Sequence, residues 1–220
     1  MKRLFFVFLI LIIAISTHIA ASPTIYGPSG LITIPTAESV SFKEMNLGVD
    51  LMSTNGDGDD SWLYKMNLGT FQNWELGFVG GKVPTEGVFI NAKYYLMSNN
   101  ERFPVSIAIG LERLTSETDT GVYMVASKKF QGGLNGHIGF RAIFGPDELD
   151  PSIMGGVEYI VSNQISLLAD FSGERKVYTV NAGLNYYINP EFIVRFAVLD
   201  FMNSKESVYY SVGTSYSLFL

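Results

Sequence analysis

The residues that could do acid–base or nucleophilic chemistry are scattered singly along this sequence. Beyond residue 21 there is one histidine, His137, which could act as a base, and the chain contains no cysteine. An activated nucleophile needs its base within hydrogen-bond reach, and no serine motif stands in a position to pair with His137. We therefore predict no enzyme activity, no catalytic residue and no cofactor, and we interpret His137 as a hydrogen-bonding group.

One short loop has a weak likeness to a metal site. Residues 55–60, NGDGDD, place side-chain oxygens at alternate positions, as calcium-binding loops do. However, Asp60 stands where such a loop carries its glycine, and Met66 stands where it carries its bidentate glutamate. We predict a solvated loop and no metal site.

The remaining charged residues share a position in a repeating pattern. They lie on the polar side of segments in which apolar and polar residues alternate, and a period of two is typical of a β-strand with two different faces. If the apolar face meets lipid, the polar face encloses an interior, and we expect its charges to pair with one another. The candidate lumen-lining residues are Asp50, Lys65, Glu75, Lys93, Glu112, His137, Arg141, Glu158, Asp170 and Arg195.

Twelve such alternating segments follow one another between Met45 and Leu220. The first reads MNLGVDLM, and the last, VYYSVGTSYSLFL, ends the chain on an apolar residue. Each has about 8–12 residues, the length that a tilted strand needs to cross a bilayer. The pattern predicts an all-β fold, a transmembrane up-and-down antiparallel β-barrel of about twelve strands.

A soluble β-sandwich also alternates in this way, and three features favour the membrane barrel. The polar face is rich in Gly, Ser and Asn with single charges of both signs. Short connections such as FQN, VSN and NPE alternate with longer polar ones such as RLTSETDT and GPDELDP, as expected for periplasmic turns and extracellular loops. Aromatic residues near the strand ends also form two predicted girdles: Trp74, Phe103, Phe130, Tyr159, Tyr186, Phe192 and Phe219 at one rim, and Trp62, Tyr123, Phe144, Phe171, Tyr178 and Phe201 at the other.

Composition agrees with a membrane location. The chain is 47% hydrophobic and 16% charged, whereas an ordinary soluble domain is roughly 25% charged. The net charge of −6 leaves no basic stripe for nucleic acid, so we predict no nucleic-acid partner. The expected partners are outer-membrane lipid and, for transport, small solutes or a polysaccharide.

The first 21 residues have the layout of a secretory signal peptide. Lys2 and Arg3 precede an apolar run from residue 4 to residue 15, and the small residues Ala20 and Ala21 follow. We predict cleavage near Ala20 or Ala21; an uncleaved membrane anchor is the alternative. The predicted organisation is a signal peptide (1–21), an N-terminal periplasmic or lumen segment (22–44) and a barrel (45–220), located in the outer membrane of a diderm, Gram-negative-type bacterium.

The closing strand resembles the C-terminal β-signal of outer-membrane proteins. The matching residues are Ser211, Gly213, Tyr216 and Leu218, a polar residue and a glycine followed by two hydrophobic residues. The sequence departs from the commoner pattern by ending on Leu220, with phenylalanine one place earlier. The resemblance implies that the barrel-assembly machinery recognises this strand.

Residues 22–44 do not alternate, and Pro35 is hard to place in a central strand. The stretch GPSGLITIPTAE, residues 27–38, resembles the N-terminal region of the YjbH-like outer-membrane proteins, which are associated with exopolysaccharide production. Two interpretations stay open, a periplasmic lead-in and a partial plug in the barrel. The resemblance implies a barrel that supports export or anchoring of a surface polysaccharide; the alternatives are a narrow general channel for small solutes and a structural barrel without transport.

Overall fold

The chain forms a closed barrel of twelve antiparallel strands in a computed structural model. The structure describes residues 21–54, 60–82, 87–97, 104–174, 177–202 and 208–220. Residues 1–20 of the predicted signal peptide, most of the NGDGDD loop and Phe103 lie outside these ranges. The strands are β1 (Glu44–Thr54), β2 (Ser61–Phe71), β3 (Trp74–Gly81), β4 (Gly87–Met97), β5 (Ser106–Glu112), β6 (Thr120–Lys129), β7 (Leu134–Phe144), β8 (Leu149–Ser162), β9 (Ile165–Glu174), β10 (Val177–Tyr187), β11 (Phe192–Leu199) and β12 (Tyr209–Phe219).

Each strand pairs with its neighbours in the chain, and β1 pairs with β12 to close the sheet. The closing seam runs in continuous register from Glu44 opposite Phe219 to Thr54 opposite Tyr209. The predicted fold class, a transmembrane up-and-down barrel of about twelve strands, is confirmed. Closure leaves no unpaired sheet edge, which explains how the chain can end on a long apolar strand without exposing an aggregation-prone edge.

The two faces of the strands differ as the alternation predicts. In β1, Leu47, Val49 and Leu51 point outward and are exposed, whereas Asn46 and Asp50 point inward and are buried. The same division holds in β12, where Val212 and Tyr216 are exposed and Ser215 is buried. An apolar outer wall around a polar interior is the arrangement of outer-membrane barrels, because the outer side chains contact lipid.

The two ends of the barrel have different connections. Asn73 and the pair Asn163–Gln164 lie in tight turns at one end, here called the turn end, where β1 also begins and β12 also finishes. Longer segments such as 113–119 lie at the other, the loop end. In outer-membrane barrels the short turns face the periplasm.

Tyr123 was wrongly assigned to the loop-end aromatic girdle. It is 4% exposed and points into the barrel, on the same face of β6 as Val125 and Ser127. The ring lies against Gly110 on the neighbouring strand, where a Cβ would come within 2.3 Å of it. Trp62, Phe144, Tyr178 and Phe201 of the same predicted set are exposed on the outside.

Residues 22–40, here called the lumen segment, lie inside the barrel. Ile25, Ile32 and Ile34 of this segment are 0% exposed, and with Leu31 and Ala37 they belong to the main cluster of buried apolar residues. The hydrophobic core of this protein is therefore formed largely where the lumen segment meets the inner face of the wall. No helix in the described part of the chain has the length and hydropathy of a membrane span.

Candidate functional site: a lumen filled by the N-terminal segment

The predicted lumen-lining residues all lie on the inner face of the barrel. Nine of the ten are no more than 8% exposed, and Glu158, near the turn end, is half-buried. Open water-filled pores expose their charged lining to solvent. The burial of these nine residues shows that the lumen is filled at their level.

Three ion pairs join six of these residues. Lys65 pairs with Asp50 across β1 and β2, Lys93 Nζ lies 3.4 Å from the Glu75 carboxylate, and Arg141 Nε lies 2.9 Å from that of Glu112. Both members of every pair are almost fully buried. Mutual pairing compensates part of the cost of desolvating charges in a closed interior.

Asp170 contacts the lumen segment instead of a cation. Its carboxylate accepts hydrogen bonds from the backbone N–H groups of Ile32, Thr33 and Ile34, at 2.9, 2.7 and 3.3 Å, and from the Thr33 hydroxyl at 3.0 Å. Asn181 Nδ2 donates to the same carboxylate at 2.7 Å and to Thr33 Oγ1 at 3.0 Å. Hydrogen bonds to a charged acceptor are stronger than neutral ones, so Asp170 fixes the 32–34 turn of the segment.

Glu75 and Lys93 form a second attachment. Glu75 accepts hydrogen bonds from Ser29 N at 2.8 Å, from Ser29 Oγ at 2.6 Å and from Val40 N at 3.0 Å. Lys93 Nζ donates to three carbonyl oxygens of the segment, those of Ser29, Thr36 and Glu38. The anion thus receives backbone N–H groups and the cation receives carbonyl groups, so this one ion pair satisfies both kinds of backbone group of a buried loop.

Arg195 holds the start of the segment. Its guanidinium donates to Pro23 O at 2.8 Å, to Ser22 Oγ at 2.8 Å and to Asn185 Oδ1 at 3.0 Å. Asn46 Nδ2 donates to Ala21 O at 2.8 Å, close to the turn end. The segment therefore enters from the turn end and is fixed to the wall from its first described residues.

The segment is also hydrogen-bonded to itself. Ile25 N donates to Ile32 O, Gly30 N to Ser22 O and Thr36 N to Ser29 O. Gly27 has φ +112° and lies against Asn91, while a Cβ on Gly30 would come within 2.1 Å of Ile34 O. The two glycines of the GPSG stretch therefore permit a doubled-back loop that no other residue types would allow without a shift.

His137 belongs to a short chain of hydrogen bonds near the turn end. Ala37 N donates to Ser127 Oγ at 2.8 Å, and Ser127 Oγ lies 2.8 Å from His137 Nδ1. Glu158 lies nearby, where its carboxylate accepts from Asn135 Nδ2 at 2.9 Å. Both residues line a cavity of about 340 Å³ between the lumen segment and the wall.

Sequence reasoning missed several contacts of the lumen segment. Ser127, Asn181 and Asn185 bind the segment or its charged anchors, whereas the predicted candidates are the charged residues and His137. The available signal for Asn181 and Asn185 was their position on the polar side of an alternating strand. Ser127 lies on β6, where the two faces do not alternate cleanly, and it had no such signal. In the described ranges, no group of three or more His, Asp or Glu side chains is placed to hold a metal ion.

The four residues of the predicted assembly signal lie on the closing strand. Ser211 and Gly213 point inward, and Tyr216 and Leu218 point outward. Gly213 lies opposite Asp50, where a Cβ would come within 2.0 Å of Asp50 Oδ1. The Tyr216 ring lies 6.4 Å from that of Phe192 on the outer surface.

Several solved structures of outer-membrane proteins are similar to this chain. The NanC porin is similar with a TM-score of 0.63 at 16% identity, over 78% of this chain and 100% of that one. The KdgM porin, in complex with disordered oligogalacturonate, is similar with a TM-score of 0.60 at 16% identity, over 79% of this chain and 99% of that one. This chain has the fold of the outer-membrane porins and channels.

A third similar structure is an outer-membrane channel from Pseudomonas putida F1, with a TM-score of 0.55 at 9% identity over 83% of this chain and 98% of that one. No protein-family model matches the sequence, and no curated protein sequence matches it. At these identities the likeness concerns the fold, and function must be argued from the lumen itself.

Proposed function

We propose that this chain is an outer-membrane barrel closed by its own lumen segment, and that it supports export or anchoring of a surface polysaccharide. The proposal rests on the filling of the lumen by this segment. Charged residues on four separate strands, Glu75, Lys93, Asp170 and Arg195, bind the backbone of residues 22–40. A barrel built for free diffusion would leave these charges hydrated along an open route.

The polysaccharide role rests on the resemblance of the GPSGLITIPTAE stretch to the YjbH-like proteins. In this chain the two glycines of the stretch, Thr33 and Pro35 all lie in the folded loop inside the lumen. The segment enters at the turn end, which faces the periplasm in this class of barrel.

A narrow channel for small solutes is the second candidate, and the similarity to the NanC and KdgM porins favours it. Such a channel would require the lumen segment to leave its anchors. Planar-bilayer recording separates the two. We expect no steady conductance from the intact protein, and openings from a variant in which a Gly/Ser sequence of equal length replaces residues 22–40.

A variant with the double substitution Asp170→Asn and Glu75→Gln keeps the segment but weakens both anchors. It is recorded in the same way if replacement of residues 22–40 prevents the barrel from assembling. Steady openings of the intact protein would overturn the closed-barrel proposal. Deletion of the gene tests the polysaccharide role independently. Loss of surface polysaccharide, restored by the intact gene, supports it, and an unchanged amount leaves a structural barrel as the better interpretation.

A further inference from the structure

The start of the lumen segment lies across the seam that closes the barrel. This seam joins β1 and β12, the first and last strands, whereas every other pair of neighbouring strands is consecutive in the chain. Closure here brings together the parts of the barrel that are farthest apart in sequence, which costs more conformational entropy than pairing two strands across a short turn. Contacts that cross this seam therefore help to keep the barrel closed.

Ser22 is bound by the closing strand and by the strand next to it. Its hydroxyl lies 3.2 Å from Ser215 Oγ on β12, and Arg195 Nη2 on β11 donates to it at 2.8 Å. Because Ser22 Oγ accepts from Arg195, its own proton is available to Ser215. Arg195 Nη1 also donates to Pro23 O at 2.8 Å. Ser22, Ser215 and Arg195 are all buried, so these contacts lie in the interior of the barrel.

The same part of the segment also lies against β1. A Cβ on Gly48 would lie 3.7 Å from Pro23 Cγ, so the proline ring packs against the inner surface of this strand. Gly48 is directly opposite Ser215 in the seam. Ser22 O accepts from Gly30 N at 2.9 Å, which joins this contact to the rest of the folded segment. Ser22 and Pro23 therefore contact both strands of the seam at one level.

The outer surface gives the seam less support at this level. An apolar groove lies over it, lined from β1 by Leu47, Gly48 and Val49 and from β12 by Thr214, Ser215 and Tyr216. The outward side chains of the two strands therefore do not fill the space over the Gly48–Ser215 pair. The contacts on the inside contribute a correspondingly larger share of the protein packing around this pair.

The lumen segment also connects the two strands covalently. It continues from Pro23 to Glu44, the first residue of β1. A segment that is bound to β12 at one end and continuous with β1 at the other keeps the two strands at a high effective concentration. A local opening of the seam should then close again quickly.

We propose that the inner face of β12, together with Arg195 of β11, is a binding site for the chain's own residues Ser22 and Pro23, and that this contact holds the closing seam together. The segment then has a second role besides filling the lumen, because it stabilises the wall itself. Ser215, on the polar side of the closing strand, is the residue of β12 that recognises the segment. Cleavage near Ala20 or Ala21, as predicted, leaves both bound residues in the mature protein.

Ser22→Ala tests this site, because it removes the hydroxyl that joins the segment to β11 and β12. Amide hydrogen exchange is measured by mass spectrometry on the full chain in detergent. The seam strands β1 and β12 are compared with β6 and β7, which lie on the opposite side of the barrel. We expect exchange in β1 and β12 to become about tenfold faster, since one of the lost hydrogen bonds is to a charged group, and exchange in β6 and β7 to stay the same. Unchanged exchange in the seam strands, or equal acceleration in all four strands, would overturn the proposal.

Thr33→Val is the matched control. Thr33 is another hydroxyl residue of the same segment, and it binds the wall away from the seam, at Asp170 on β9. This substitution should leave exchange in β1 and β12 unchanged. If it accelerated exchange there as much as Ser22→Ala does, the effect would come from loosening of the whole segment, and the seam site would be rejected.

Ser215→Ala breaks the same contact from the side of the wall, and it is measured in the same way if Ser22→Ala does not assemble. Where both assemble, the double variant Ser22→Ala/Ser215→Ala should exchange no faster than Ser22→Ala alone, because the shared contact can be lost only once. Additive effects of the two substitutions would count against the contact. Neither conductance nor surface polysaccharide enters these measurements, so this inference can fail independently of the proposed function.

Discussion

Asp170 and Thr33 lie 137 residues apart in sequence and are joined by two hydrogen bonds, from the Thr33 backbone N–H and from its hydroxyl. One belongs to the wall of the barrel and the other to the segment inside it. The wall strands provide no ion-pair partner for Asp170 among the pairs described above, and the segment provides a turn of N–H groups. The segment and the wall therefore satisfy each other's buried hydrogen-bonding groups, and the barrel interior is complete only when both are present.

Asp170→Asn tests this dependence. Asparagine is uncharged and has one acceptor oxygen, so it cannot hold three N–H groups and a hydroxyl as the carboxylate does. We expect amide hydrogen exchange at Ile32 and Ile34 to become about tenfold faster, since hydrogen bonds to a charged group contribute about 1.5–3 kcal/mol. Glu148→Gln, in an exposed loop, is the control. Unchanged exchange in Asp170→Asn would mean that other contacts hold the turn.

Gly30→Ala tests the fold of the lumen segment. The new Cβ would lie 2.1 Å from Ile34 O and 2.7 Å from Pro35 Cα, both backbone atoms that cannot move alone. We expect an overpacking cost of about 1–3 kcal/mol and partial release of the segment. Chymotrypsin should then cut after Tyr26 or Leu31 in the folded barrel.

The control for this substitution is Gly145→Ala, where the nearest atom to the new Cβ lies at an ordinary 3.4 Å. It should remain as resistant to chymotrypsin as the unmodified protein. If Gly30→Ala were equally resistant, the close approach in the loop would have to be relieved without displacing the segment.

The strands could be predicted from sequence because a bilayer and a polar interior impose opposite demands on alternate residues. This is clear in β1, where Val49 and Asp50 occupy opposite faces. It fails in β6, where Val122, Tyr123, Met124 and Val125 are apolar on both faces, and Tyr123 was therefore placed in the wrong environment. A packed lumen permits apolar inward residues, and alternation cannot reveal them.

The inward direction of the charged residues was also predictable, but their partners were not. Asp50 and Lys65 pair across adjacent strands, as expected for charges in one interior. Asp170 and Arg195 instead bind backbone groups of the lumen segment. Those contacts depend on how residues 22–40 fold back on themselves, and backbone hydrogen bonds leave no mark on the sequence of the segment.

A pair of substitutions on β7 measures whether the outer wall contacts lipid. Phe140 and Phe144 both point outward and are about equally exposed, but Phe140 lies within the strand and Phe144 ends it at the loop end. For barrels in bilayers, arginine costs about 2–4 kcal/mol at the midplane and about 0–1 near the interface. We expect urea unfolding in phosphatidylcholine vesicles to show this difference between Phe140→Arg and Phe144→Arg. Equal costs would contradict a depth-dependent lipid environment.

The closing strand permits a matched test of the predicted assembly signal. Tyr216 and Tyr210 lie on the outer face of β12 with similar exposure, 45% and 50%, and only Tyr216 belongs to the signal-like pattern. Loss of lipid contact is therefore similar in Tyr216→Ala and Tyr210→Ala. If the assembly machinery recognises the pattern, Tyr216→Ala should lower the heat-modifiable, folded fraction in outer-membrane extracts severalfold, and Tyr210→Ala should leave it near normal.

Phe192 provides the control for a purely structural explanation, because its ring contacts that of Tyr216 on the neighbouring strand. Phe192→Ala removes the same ring contact but leaves the terminal pattern intact. A decrease confined to Tyr216→Ala supports recognition of the strand before it pairs. Equal decreases in Tyr216→Ala and Phe192→Ala would instead assign the effect to the packing of the finished barrel, since both variants lose one aromatic contact on the lipid-facing surface.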